Sequence, residues 1–163
     1  MLKKKKNNKG FTLVELLVVI AIIGILAVVA VPALFKNINK AKVADVESDY
    51  SAIKIAVLSY YTDNNQLPTV GDLTANGQLK DYMDSVPTKS ALNGVYGLET
   101  VTESGVNKLA LKIRGVKATS EQMKKLIADI GEGKVCTDTT GTDATGVAEN
   151  NDIYLILIDN TSM

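Results

Sequence analysis

G-F-T-L-V-E-L-L-V-V-I-A-I-I-G-I-L-A-V-V-A-V-P-A-L-F, residues 10–35, is almost wholly apolar and carries one charge, Glu15. About twenty apolar residues rising 1.5 Å each span a hydrocarbon core of roughly 30 Å, so the stretch predicts a membrane-length helix. Lys3, Lys4, Lys5, Lys6 and Lys9 precede it, and a basic flank places that end on the cytoplasmic side. A carboxylate facing lipid costs about 2.5–3.5 kcal/mol even on lenient scales, so Glu15 needs a partner. Cleavage between Gly10 and Phe11 would supply one, because the new α-amino group would lie one helical turn before Glu15.

Two simpler designs share part of this pattern. A secretory signal has a basic n-region and small residues before its cleavage site, here after Ala30, but its apolar run is shorter and holds no acid. A plain single-pass anchor accounts for the lysines and the length, and leaves Gly10-Phe11 and Glu15 without a reason. The Lys-rich leader, Gly10, then Phe11-Thr12-Leu13-Val14-Glu15 at the head of an apolar helix together resemble the processing site of a type IV prepilin. The resemblance covers roughly the first quarter of the chain. It implies that a prepilin peptidase cuts after Gly10 and methylates Phe11, and that Glu15 guides docking between subunits. It also implies that Gly24 and Pro32 are the helix-weakening glycine and kinking proline of pilin helices. Proline lacks an amide donor and clashes with the carbonyl four residues back, so the helix is expected to kink or open near Val28.

Composition supports an exported body. The 163 residues carry 18 basic and 18 acidic side chains, and removing the five leader lysines leaves 13 against 18, a net −5. A mildly acidic body has no general electrostatic reason to bind nucleic acid. Cys136 is the single cysteine, so no intrachain disulfide can form. Many Gram-negative pilins staple a C-terminal loop with a disulfide; its impossibility here fits a source that seldom uses exported disulfides, such as a Gram-positive anaerobe of the clostridial kind.

Residues 11 to about 63 read as one long helix. From Lys36 onward it becomes amphipathic, with Val43, Val46, Tyr50, Ile53, Val57 and Tyr60 at spacings of three and four. Such a stripe suits packing on a sheet, and the same spacing would suit a coiled-coil seam. Ile55 and Leu58 fall off the stripe and would be exposed in a single chain. The helix should stop near Asp63-Asn64-Asn65, before Pro68. A connecting region to about Asn93 includes a possible short helix over Gly77–Met83. Val95–Val101 and the alternation around Leu109, Leu111 and Ile113 read as strands joined by a turn at Glu103-Ser104-Gly105. Thr119 and Gln122 form a capping-box pattern ahead of an apolar face of Met123, Leu126, Ile127 and Ile130. Residues 137–152 are Thr-, Asp-, Gly- and Asn-rich and read as a mobile surface loop. Ile153–Ile158 reads as a buried strand.

Histidine is absent, which excludes Ser-His-Asp and Cys-His nucleophilic designs and His-containing zinc sites. No P-loop, G-x-S-x-G or G-x-G-x-x-G pattern occurs. Asp138, Asp143, Glu149 and Asp152 could offer oxygen ligands to calcium, although their spacing is not that of an EF-hand. Asn160-Thr161-Ser162 matches a glycosylation sequon.

The expected fold is α+β: a long N-terminal helical spine, half membrane and half amphipathic, on a small antiparallel sheet of three or four strands. Residues 1–10 are the leader, 11–35 the transmembrane and filament-core helix, and 36–163 the extracellular head, which includes the helical stretch 36–63. The resemblance implies a non-enzymatic major pilin with no cofactor and no metal, serving adhesion, surface motility or aggregation. Its partners would be further copies of itself, the prepilin peptidase, the assembly platform and ATPase machinery, and the cytoplasmic membrane before assembly. It would reside in that membrane as a single-pass protein and then in extracellular pili. A minor pilin or pseudopilin, and a membrane-tethered binding module that never polymerises, are the alternatives.

Overall fold

The computed structural model describes residues 10–142, 144 and 149–159. The leader lysines, Asp143 and the sequon at 160–162 lie outside the described residues. The chain divides into two compact units, Met1–Ile38 and Asn39–Met163, and one helix, α1 (Leu13–Asn64), contributes residues to both.

Within the first unit α1 is helical without interruption through Gly24 and Pro32. The expected opening near Val28 does not occur. Proline at position 32 removes one donor, and the hydrogen bonds on either side hold the turn together.

In the second unit α1 buries Val43, Val46, Tyr50, Ile53, Ala56 and Val57, with Tyr60 half-buried beside them. The stripe is therefore a sheet-packing face, and the coiled-coil alternative falls away. The helix ends where Asn65 turns left-handed (φ 52°), its N–H donating to Tyr61 O at 2.8 Å. Asparagine tolerates that conformation better than most residues, so it serves where glycine usually would.

Five antiparallel strands form one sheet: β1 (Gly71–Asp72), β2 (Val95–Glu103), β3 (Val106–Lys117), β4 (Val135–Cys136) and β5 (Glu149–Ile158). Their order is β1-β2-β3-β5-β4. The count exceeds the expected three or four because β1 and β4 are two residues each, too short to leave a periodicity. The β2–β3 hairpin closes through Ser104 (φ 51°) and Gly105 (φ 81°), the two left-handed residues a type I′ turn requires. Gly94 is held by packing: a Cβ there would lie 2.4 Å from Ile113 Cγ2.

Alternation sorts the sheet into two faces. Tyr96, Leu98, Leu109, Leu111, Ile113, Ile153, Leu155 and Leu157 join the α1 stripe in the main core. Val101, Ala110, Cys136, Tyr154 and Ile156 form a second buried cluster. The unbroken apolar run of β5 thus serves both clusters. Helix α2 (Ser120–Ile130) starts at the expected capping box, with Thr119 N–H donating to Gln122 Oε1 at 2.8 Å and Gln122 N–H returning to Thr119 Oγ1 at 3.3 Å. Met123 and Leu126 enter the main core.

Two segments differ from what the sequence predicts. The helix expected over Gly77–Met83 is only a 3-10 turn at Lys80–Tyr82, anchored by buried Leu79. The loop expected over 137–152 gives way to strand at Glu149, because backbone pairing to β3 (Lys117↔Glu149, Val116↔Asn151) needs no apolar side chain. Its earlier part is tied down: Thr102 N–H donates to Thr139 O at 2.8 Å.

Candidate functional site

Thr12 stands immediately before α1, and its backbone N–H and hydroxyl both donate to Glu15 Oε2 at 2.8 Å. Glu15 N–H donates back to Thr12 Oγ1 at 3.2 Å. This is a reciprocal capping box, with threonine as the cap and glutamate three residues later. The T-x-x-E/Q spacing of Thr119–Gln122 recurs at Thr12–Glu15, where it lies inside the apolar run. Its consequence is chemical. Glu15 has a partner inside its own chain, near a helix N-terminus whose dipole favours negative charge. Both Thr12 donors go to one carboxylate oxygen, and among the described residues Oε1 takes no hydrogen bond.

The apolar side chains that follow are unburied. The most apolar 18-residue window of α1 has mean hydropathy 3.1 and is 0% buried. From Leu13 (78% exposed) to Val31 (47%) and on to Phe35, every large apolar side chain of this segment is open. Phe11 is 84% exposed. An apolar surface of this extent in one chain demands another apolar phase, either lipid or other helices.

The glycines add an independent argument. A Cβ at Gly10 or at Gly24 would meet nothing within 4 Å. Glycine inside a helix costs about 0.5–1 kcal/mol relative to alanine, so Gly24 loses stability for which its own chain gives no return. Packing within this chain requires neither glycine. Gly10, Phe11 and Thr12 stand just before α1, Glu15 lies in its first turn, and Gly24 and Pro32 sit farther along the same helix.

In the second unit Ile55 (65% exposed) and Leu58 (44%) are open, as their off-stripe positions predict. Of the four acidic candidates, Asp143 and the side chain of Glu149 lie outside the described residues, and the other two have partners within the chain. Asp138 Oδ1 accepts from Thr140 N–H (2.9 Å) and Thr142 N–H (3.0 Å) within its own turn. Bonding from Thr142, its side chain first, and then from Thr140 holds the carboxyl well below the usual range. Asp152 instead accepts from Gly115 N–H at 3.0 Å and pairs with Lys112 at 3.1 Å. Among the described residues no three metal-ligating side chains cluster.

Comparisons with known proteins add to this geometry. Residues 5–31 match the family profile described as the prokaryotic N-terminal methylation motif, and residues 37–109 match one described as PilW, C-terminal. The type II secretion system core protein G of Klebsiella michiganensis is 44% identical over 66 residues, 40% of this chain and 46% of that protein. The chain thus spans about half the length of those relatives. The fimbrial protein EcpC of Eikenella corrodens is 37% identical over 110 residues, 64% of this chain and 69% of its own length. The solved structure of the major type IV pilin PilA1 from Clostridium difficile is 42% identical, with a TM-score of 0.64, covering 76% of this chain and 98% of that one.

Proposed function

The chain belongs to the type IV pilin family, and from that premise we propose that it is the major, repeating subunit of a type IV pilus. Its work is assembly, with no reaction catalysed. Before assembly it rests in the cytoplasmic membrane as a single-pass protein. Prepilin peptidase removes the leader at Gly10-Phe11 and methylates Phe11. The assembly platform and its ATPase then draw the apolar helix from lipid into a filament core made of further copies. The finished pilus lies outside the cell and serves adhesion, surface motility or aggregation.

One observation carries the reading: a lone carboxylate capped on the first turn of a helix whose leading segment is otherwise apolar and exposed. Thr12 holds Glu15 in place through one oxygen, and the second oxygen is available to the Phe11 amine of a neighbour. A charge pair in low dielectric gains Coulomb energy and loses much of it to desolvation. Its main contribution is therefore axial register, since one stagger brings the two groups together. The 98% coverage of a major pilin supports this role over a pseudopilin role, for which the relatives are matched over 46% of their length.

Glu15→Val tests the reading. Cleavage and membrane insertion should persist, as seen by the intact mass of a chain beginning at N-methylated Phe11, while filaments become rare in electron micrographs. Normal filament numbers from the processed variant would refute the docking role. Sheared surface filaments in which the chain is a trace component would refute the major-subunit role.

A further inference from the structure

α1 and α2 meet along a seam within the second unit. Near one end Gln122 Nε2 donates to Asn39 Oδ1 at 3.2 Å. Val43 and Val46 of α1 and Met123 and Leu126 of α2 lie in the same core. Two turns along each helix from the Asn39–Gln122 contact, Glu47 faces Asp129. Lys125 pairs with Asp129 across one turn of α2, with side chains 38% and 33% exposed. Glu47 is half-buried, and its Oε1 is shut from solvent with no hydrogen-bond donor.

Two ionised carboxylates cannot meet in this arrangement without a penalty. The Lys125 ammonium is engaged by Asp129, so an ionised Glu47 would leave a buried oxygen unsatisfied beside a like charge. A single proton removes both costs: a protonated Glu47 becomes an O–H donor to the Asp129 carboxylate. We propose that Glu47 and Asp129 share one proton across the α1–α2 seam, and that this carboxyl pair is a pH-sensitive latch holding α2 against α1.

The charged groups facing Glu47 are Asp129 and Lys125, both from α2. Burial raises the Glu47 carboxyl first, the hydrogen bond and the charge of Asp129 raise it further, and Lys125 opposes them; the result is a rise to about 7 from 4.5. Asp129 moves the other way, held down first by its bond from Lys125 and then by Glu47. The two signs act in different windows. Below 4.5 both folded and unfolded chains hold the Glu47 proton; from there to about 7 only the folded chain does. The folded state then binds more protons, so stability falls as pH rises through this window. The opposite contribution of Asp129 is lost only as pH falls below its ordinary 3.8. Above that, of the two carboxyls of the pair, only Glu47 changes the balance. The Asn39–Gln122 bond and the apolar seam remain at alkaline pH, so α2 loosens at its Asp129 end without leaving the core.

The test uses the full chain in mild detergent with carboxyl-¹³C glutamate, the Glu47 resonance assigned by its loss in Glu47→Gln. The Glu47 carbon should titrate near neutrality. Asp129→Asn should move the midpoint down toward the ordinary value, and Lys125→Gln should move it up. Denaturation midpoints should fall for the wild type between about pH 5.5 and about pH 8, with the slope lost in Glu47→Gln. An ordinary Glu47 midpoint in the wild type, or the same pH slope in Glu47→Gln, would overturn the latch. Should Glu47→Gln fail to fold, a Glu47 midpoint unmoved by Asp129→Asn would overturn it equally.

Discussion

Tyr50→Phe deletes one oxygen, and the structure specifies what that oxygen does. The Tyr50 hydroxyl donates to Ile156 O at 2.6 Å, and both residues are buried. Ile156 lies opposite Lys134, one residue beyond the end of β4, because Val135 pairs with Leu155. Ile156 N–H donates to Lys134 O at 2.8 Å. In a complete antiparallel pair Lys134 N–H would return the bond to Ile156 O. It donates instead to Gly131 O at 3.2 Å, closing the turn after α2. The ladder therefore lacks one donor, and Tyr50 of α1 fills the place. Phenylalanine keeps the ring packing and leaves the carbonyl buried without a partner. A buried unsatisfied group costs about 1–3 kcal/mol, equivalent to about five- to 150-fold in the folding constant. Urea denaturation of the full chain in mild detergent, followed by circular dichroism, should show a lower midpoint with an unchanged m-value. A loss below about 0.3 kcal/mol at constant m would refute the reasoning, since water or a shifted Lys134 would then be satisfying Ile156 O.

A fragment beginning at Lys36 should be soluble and unfold cooperatively, because the main core closes with residues from Val43 onward; a broad, non-cooperative thermal transition would contradict this. Within that fragment Ile53→Ala should cost about 2–5 kcal/mol, read from chemical denaturation, because the side chain is fully buried between helix and sheet. Gly10→Val should leave an uncut precursor in the membrane, detected as the full-length mass; since a Cβ at this position meets nothing within 4 Å, a folding defect would not be the cause. Normal cleavage of Gly10→Val would remove glycine from the recognition motif.

The elements read correctly from sequence are those whose signals are local. The α1 stripe from Val43 to Tyr60 repeats every three or four residues, so its burial follows from helix geometry. The Thr119–Gln122 box, the Ser104-Gly105 turn and the helix stop before Pro68 each depend on a few adjacent residues with definite backbone preferences. Gly10-Phe11 and Glu15 are also singled out locally, by chemical contrast with their neighbours, and their roles belong to the proposed function. The Thr12 cap is equally local, but its signal sits within an apolar run that has the pattern of a membrane helix.

Tertiary structure decided the rest, because it concerns groups far apart in the chain. No local pattern says that β5 inserts between β3 and β4, since that order depends on which strand edges remain open once the β2–β3 hairpin has formed. Strands β1 and β4 exist through their partners' hydrogen bonds, with two residues each and no periodicity of their own. Tyr50 reads from sequence as another apolar position; its hydroxyl matters because Lys134 turns its N–H elsewhere, 84 positions along. Glu47 and Asp129 lie 82 positions apart, and no local pattern links them. Only the packing of α2 on α1 sets them face to face, where desolvation and like charge make one shared proton the lower-energy arrangement.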